Sequence, residues 1–377
     1  MRVSPARPSE APVGTRKRKA GTPATLRLCY FGTFERGYPR NAQVISCLRG
    51  AGVEVLEEHV SVWDDDRHGW GAGPTRALQL ALAQGRLLVR RPPTADAFIV
   101  GYPGHFDLPA ARRAARGRPL VFNPLVSLAD TLVGDRRRFR PDSLAARTLE
   151  TIDRCAFRAA DVVVADTEAD AQFFAGLAGL GEVPVCFVGA EDRLFTPGWS
   201  PPDRFVALFV GKLIPLQGVA TILEAARQAP EIDFRVVGSG QLEDLLAARP
   251  PNVEHVPWIE YERLPDEIRH AGCCLGIFGT TGKAQRVIPN KAFQALACAA
   301  PLITADTPAA RELLVDGESA LLVPPGDASA LAGAVRRLAA DSDLRRGIAG
   351  AGRAAYEREA SEEVLGLRWR AIIERLL

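Results

Sequence analysis

No apolar run in this 377-residue chain approaches the roughly 18 residues that a membrane-spanning helix needs. The first 25 residues, MRVSPARPSEAPVGTRKRKAGTPAT, are basic but lack the apolar stretch of a signal peptide, so they read as a disordered arm outside the fold. Cys-x-x-Cys pairs are missing as well. The seven cysteines are odd in number and mostly sit inside apolar runs such as HAGCCLGIF. That excludes a disulfide framework or zinc site and fits reduced thiols in a cytoplasmic protein. The five histidines never fall three or four residues apart, so no metal is expected. Net charge is only +2, with a basic excess in the first 200 residues, in TRKRKA, VRRPP, ARRAARGRP and DRRRFRP. These clusters have no interleaved aromatics and match no nucleic-acid-binding module, so no nucleic-acid partner is expected. They read as a solvated face or as a peripheral contact with anionic membrane.

What is present is a regular alternation. Apolar strands such as LRLCYFGTF, VEVLEEHV, ADAFIVGYP, PLVFNPLVS, ADVVVADT and VPVCFVGA occupy the first half, with helices RNAQVISCLRGAG and LAARTLETIDRCAFRAA. The second half repeats the grammar with strands FVALFVGKL, DFRVVGSG, VEHVPW, CCLGIFG, PLITADT and ALLVPPG. Its expected helices are GVATILEAARQA, QLEDLLAA, NKAFQALACA, AARELLVDG and DASALAGAVRRLAAD. Such alternation predicts an α/β protein with parallel sheets. A Pro- and Gly-rich stretch, EDRLFTPGWSPPDR, separates the halves and predicts two facing Rossmann-like domains, with ligands at the carboxyl ends of the strands.

The loops after those strands carry the candidate chemistry. In FVGKLIPLQGV a strand breaks at Gly211, Lys212 emerges, and Gly218 opens a helix, an arrangement suited to a phosphate or diphosphate. In VVGSGQLEDLL, Gly238 begins a tight turn, but Glu243 replaces the third glycine of a dinucleotide fingerprint, which disfavours a nicotinamide cofactor. Trp258 is a core or rim residue, or a candidate for stacking on a base. Gly279, Thr280 and Thr281 offer backbone N–H groups and hydroxyls for sugar or phosphate oxygens. In RVIPNKAFQALA, Lys291 falls in the first turn of a helix, where the dipole opposes a cation. Either lysine and helix end face one anion, or Lys291 points into water.

The runs FVGKLIPLQGVATILEAAR and VIPNKAFQALACAAPLITADTPAARELLVDGESALLVPPGD resemble the donor half of retaining GT-B glycosyltransferases of family four (glycosyl transferases group 1). YFGTFERGYPRN, VFNPLVSLADTLVGDR and DVVVADTEADAQFF resemble the first half of a bacterial subgroup. The resemblance implies an acceptor domain over 26–195, a nucleotide-sugar donor domain over 196–355, and a final helix, 356–377, crossing back to the first domain. It implies transfer of a sugar from a nucleotide sugar to an acceptor hydroxyl on a glycan, glycolipid or small molecule, with retention, in the cytoplasm and without a cofactor. Lys212 and Gln217 stand where the family clamps the diphosphate with Arg and Lys; Arg286 and Gln294 stand where it has two glutamates. Lys291 would then be a relocated second cation, with Asn290 beside it, and His105 a histidine near the donor sugar. Gly32, Thr33, Tyr38, Arg40, Asn41 and Asp130 are expected on the acceptor side. A non-catalytic nucleotide-sugar binder and a nucleotide-sugar epimerase remain alternatives.

Overall fold

A computed structural model describes residues 25–63 and 74–377. The arm expected over residues 1–25 lies, Thr25 apart, outside the described residues. Short apolar segments rich in Val, Ile, Leu and Phe form two all-parallel sheets, as expected where helices bury both faces of each strand. In the first sheet, β1 (Arg27–Gly32), β2 (Glu54–His59), β3 (Ala97–Val100), β4 (Leu120–Phe122) and β5 (Val162–Val163) run in the order β2-β1-β3-β4-β5. The second contains β6 (Val206–Val210), β7 (Asp233–Val237), β8 (Val253–Val256), β9 (Cys273–Leu275), β10 (Leu302–Ala305) and β11 (Leu321–Val323). Its order is β11-β10-β9-β6-β7-β8.

The first domain's helices are α1 (Pro39–Gly50), α2 (Pro74–Val89), α3 (Leu108–Ala115), α4 (Leu144–Ala159) and α5 (Glu168–Ala178). The second domain carries α6 (Val219–Gln228), α7 (Leu264–Arg269), α8 (Asn290–Ala297), α9 (Pro308–Arg311), α10 (Ala328–Ala340) and α11 (Ser342–Glu359). The last helix, α12 (Glu362–Glu374), returns to the first domain and lies against α1, with Arg370 donating to the Ala51 carbonyl at 3.1 Å. Alternate residues of β1 feed two layers. Leu28 and Tyr30 pack toward α1 and α12, while Cys29 and Phe31 pack toward α2, α3, α4 and α5. One apolar cluster runs unbroken from Tyr30 and Val44 through Phe187 to Phe293, Tyr356 and Trp369, joining the domains.

Three expected elements come out differently. VPVCFVGA contributes only a single bridge, between Val185 and Ala165, because the carbonyls of Cys186 and Phe187 accept the Arg40 guanidinium at 3.0 and 2.7 Å instead of a neighbouring strand. QLEDLLAA winds as a 3-10 turn, Glu243–Ala248, after the tight glycine turn. AARELLVDG keeps only its first three residues in helix, within α9, because the chain turns to pair Asp316 with Ala320.

Arg40 is fully buried, also bonds Asn123 Oδ1 and lies over the Trp369 ring, so it braces the first domain from inside and does not reach an acceptor. Arg40→Met should leave those carbonyls and Asn123 unpaired. Its unfolding free energy in urea should fall by about 2–4 kcal/mol, the scale of losing several bonds to a charged donor.

Candidate functional site

Strand order reverses between β6 and β9, so the crevice outside their carboxyl ends is where this topology collects ligands. Gly211 follows β6 with φ +152°, and the exposed Lys212 comes next. A 3-10 turn, Pro215–Gln217, leads through Gly218 into α6. Gly218 permits a close approach: a Cβ there would lie 2.5 Å from the carbonyl carbon of Phe278, just after β9. The two loops are thereby joined, Phe278 and Gly279 donating to the carbonyls of Gln217 and Leu216. Gly238, at the end of β7, lies against the Gly211 carbonyl and closes the crevice on its other side.

Lys291, second residue of α8, reaches into this crevice rather than into water. Its Nζ donates to Gln217 Oε1 at 2.5 Å and lies 3.5 Å from the Phe209 ring centroid. It is also so near Gly211 that a Cβ there would come within 2.9 Å of Nζ. No carboxylate among the described residues bonds it, and burial alone pushes its pKa well below the usual lysine range. The charged form of this half-buried amine costs free energy unless an anion completes the site. Lys291 also stands at the amino end of α8, where free backbone N–H groups add positive potential. Asn290 is half-buried beside it. Gln294, on the next turn, faces Tyr261, with Nε2 3.4 Å from the phenol oxygen. Trp258 is 61% exposed, at the rim, and Thr280 is also exposed.

The loop from Thr281 to Arg286 is docked onto the first domain. Thr281 Oγ1 caps the Ala284 amide and lies 3.4 Å from Asp135. Lys283 is buried and donates to Thr131 at 2.8 Å. Arg286 pairs with Asp130 at 2.7 Å and Asp170 at 3.4 Å, its guanidinium 4.0 Å from the Phe173 centroid. The donor-side contact expected of Arg286 is thus replaced by a contact between domains, since a cation at that position finds carboxylates opposite. Asp130 accordingly faces Arg286 and is already paired. Thr167 donates to the Arg286 carbonyl and caps α5, whose next two amides, Glu168 and Ala169, donate to Glu312 at 2.8 and 3.0 Å. Asp166 and Asp170 lie buried together. Burial first, then each other's charge, raises Asp170 well above the carboxylate range, and Arg286 and Lys283 oppose the rise.

The sequence reading missed Lys283, Asp135, Asp166, Asp170 and Glu312, because each acts across the domain boundary and no local spacing marks it. Asp153 was missed too. From α4 it accepts Ser127 Oγ and the amides of Leu128 and Ala129 at 2.6–2.9 Å, fixing the turn that presents Asp130.

His105 lies behind that turn, not in the crevice. Its Nε2 is 3.3 Å from Asp153 Oδ1, and the ring is enclosed by Phe122 and Phe157. Burial lowers its pKa to about 3, so it is neutral at neutral pH. On the same side, Thr33 at the end of β1 donates its amide and hydroxyl to Asp107 at 2.7 and 3.1 Å, beside Gly32. Asn41 is also spent internally, bonding the Tyr30 hydroxyl and both amide groups of Tyr102, while the Tyr38 and Tyr102 rings lie 4.5 Å apart. Among the described residues, no group of three His, Cys, Asp or Glu side chains could hold a metal ion.

The lowered pKa of His105 gives a signed expectation. The native state binds fewer protons there than the unfolded chain, so stability is full above about 6.5 and is lost as pH falls toward about 3. Urea unfolding at descending pH should show a shallower loss for His105→Gln than for the wild type; parallel curves would refute the burial argument.

Residues 204–341 match the family described as glycosyl transferases group 1. Over 216 residues the chain is 24% identical to the lipopolysaccharide core biosynthesis glycosyltransferase LpsE of Rhizobium meliloti, covering 55% of this chain and 63% of that protein. It is 29% identical to the phosphatidyl-myo-inositol mannosyltransferase of Mycobacterium leprae over 161 residues, 40% of this chain and 41% of the relative. The chain thus spans less than two thirds of the length of the curated relatives it matches. Among solved structures, sucrose-phosphate synthase from Thermosynechococcus elongatus superposes with a TM-score of 0.72 at 17% identity, covering 93% of this chain and 99% of that one. Anabaena HepE in complex with UDP-glucose superposes with a TM-score of 0.67 at 16% identity, covering 93% and 100%. The chain therefore has the GT-B fold, and its second domain matches the glycosyl transferases group 1 family.

Proposed function

We propose that the chain is a retaining glycosyltransferase that moves a hexosyl group from a nucleotide sugar to an acceptor hydroxyl. The observation that carries this reading is Lys291: an unmatched cation at a helix amino end, in the crevice between the β6 and β9 loops. A diphosphate would supply the missing anion. That HepE was solved with UDP-glucose supports a nucleotide sugar as the donor. The names of the curated relatives support glycosyl transfer.

In this mechanism the acceptor oxygen bonds the anomeric carbon as that carbon's bond to the diphosphate breaks. The acceptor's proton passes to the departing phosphate oxygen. Negative charge would grow on the leaving group beside Lys291 and the α8 amide groups, with the exposed Lys212 on the neighbouring loop, so little reorganisation is needed. Gln217 holds Lys291 in place, and Gln294 is positioned for donor hydroxyls. Thr280 and Gly279 line the sugar side, with Trp258 at the rim for the base. The reading calls for no metal, because these cations serve the leaving group. Arg286, engaged with the first domain, sets the cleft's geometry instead of touching the sugar. The setting proposed is cytoplasmic, with the first domain in peripheral contact with an anionic membrane.

Lys291→Ala tests this and separates binding from folding. Removing a half-buried amine whose charged form has no counter-ion should leave the ligand-free melting temperature unchanged or higher. Affinity for the nucleotide-sugar donor, by calorimetry, should drop about 10- to 150-fold, the loss expected for one charge-assisted bond. Unchanged donor affinity would remove Lys291 from the site.

A further inference from the structure

Helix α2 presents an apolar line outward along its whole length. Leu78, Leu82, Gly85 and Val89 fall on one side of the helix by the 3.6-residue repeat. The three larger side chains are 61%, 57% and 82% exposed. Leu88, at 41%, flanks them. The opposite side fixes the helix to its domain, through buried Ala83 and Leu87 and through Gln84, which donates to Asp107. The outward leucines therefore contribute nothing to the core, and single exposed apolar residues would not line up this way by composition alone.

At the carboxyl end of α2 the line runs into a concavity of about 340 Å³ whose walls include Arg91, Arg116 and Arg118. Neighbouring arginines are matched, Arg90 with Glu58 and Arg112 with Asp161. Among the described residues, these three have no hydrogen-bond or ion-pair partner. An apolar stripe about 17 Å long, by the helical rise, ending in unmatched guanidinium groups has the chemistry of a surface that buries acyl chain and pairs with phosphate. Residues 1–24 carry six Lys and Arg against one Glu, so charge opposes that segment covering the arginine end.

We propose that α2 and the Arg91–Arg116–Arg118 concavity form a docking face for an anionic lipid bilayer, a reading that rests on the peripheral contact proposed above and names its surface. Near the amino end of α2, Arg76 bonds the Val62 carbonyl and lies over the Trp63 ring, whose indole donates to Thr33 at 3.2 Å just after β1, while Arg91, past its carboxyl end, shares the concavity with Arg116 and Arg118, which precede β4. A bilayer along α2 would leave the cleft mouth at its border, within reach of an acceptor held in the membrane.

Co-sedimentation with phosphatidylcholine vesicles, with and without phosphatidylglycerol, tests the face. The wild-type chain should bind only the anionic vesicles, and less at high salt. The pair Leu78→Gln and Leu82→Gln should lower binding at least tenfold. Arg91→Ser with Arg118→Ser should lower it by roughly fivefold per arginine. Melting temperatures and nucleoside diphosphate affinity should stay at wild-type values in both variants, since no mutated side chain touches the crevice. Wild-type failure to bind anionic vesicles would overturn the peripheral contact itself. Normal binding by either variant would overturn this face alone. A dimer that the leucine pair converts to monomer, with lipid binding intact, would make α2 an interface between copies and also overturn it.

Discussion

The arrangement of the cleft depends on Arg286 bridging Asp130 and Asp170 of the opposite domain. Around this ion pair gather Lys283 on Thr131, Thr281 beside Asp135, Thr167 on the Arg286 carbonyl and Glu312 at the amino end of α5. Desolvation makes buried ion pairs a weak source of stability, and their stronger effect is to specify which surfaces meet. Here they set how the loop after β9 faces the turn after β4. The apolar cluster from Tyr30 to Trp369 joins the domains without fixing that orientation, because apolar contact is not directional.

The cluster also divides the cations between two tasks. Arg286 is paired with two carboxylates, and Lys283 donates to Thr131 in the field of Asp130, Asp135 and Asp170. Among the described residues, Lys291 meets only the Gln217 amide oxygen and an aromatic ring, so no carboxylate competes with a ligand for it. Gln217 and Lys291, the two positions that the proposed relocated clamp relates, are in contact. The absence of a carboxylate at position 286 is explained in the same terms: that side chain belongs to the domain interface.

Much of this was legible locally. The two-domain α/β order and the crevice loops follow from apolar periodicity and glycine placement, whereas the crossing helix was implied by the resemblance. Helix α11 was not legible, because Gly347, Gly350 and Gly352 lower helix propensity; Gly352 is needed where a Cβ would lie 2.8 Å from the Ser319 carbonyl oxygen. Arg40, Asn41 and His105 were expected at the cleft from the resemblance. Each instead satisfies buried backbone or packs behind the turn that holds Asp130. The carboxylates facing Lys283 and Arg286 come from segments far away in sequence, and only the fold brings them together.

The central claim is that the crevice beside Lys291 accepts a nucleoside diphosphate sugar and activates it. The most direct measurement is release of nucleoside diphosphate from a set of UDP-, GDP- and ADP-sugars incubated with the purified chain, alongside thermal shift with each diphosphate and with NAD. The account predicts slow hydrolysis of at least one nucleotide sugar and stabilisation by the matching diphosphate. Stabilisation by NAD alone, with every nucleotide sugar left intact, would contradict it.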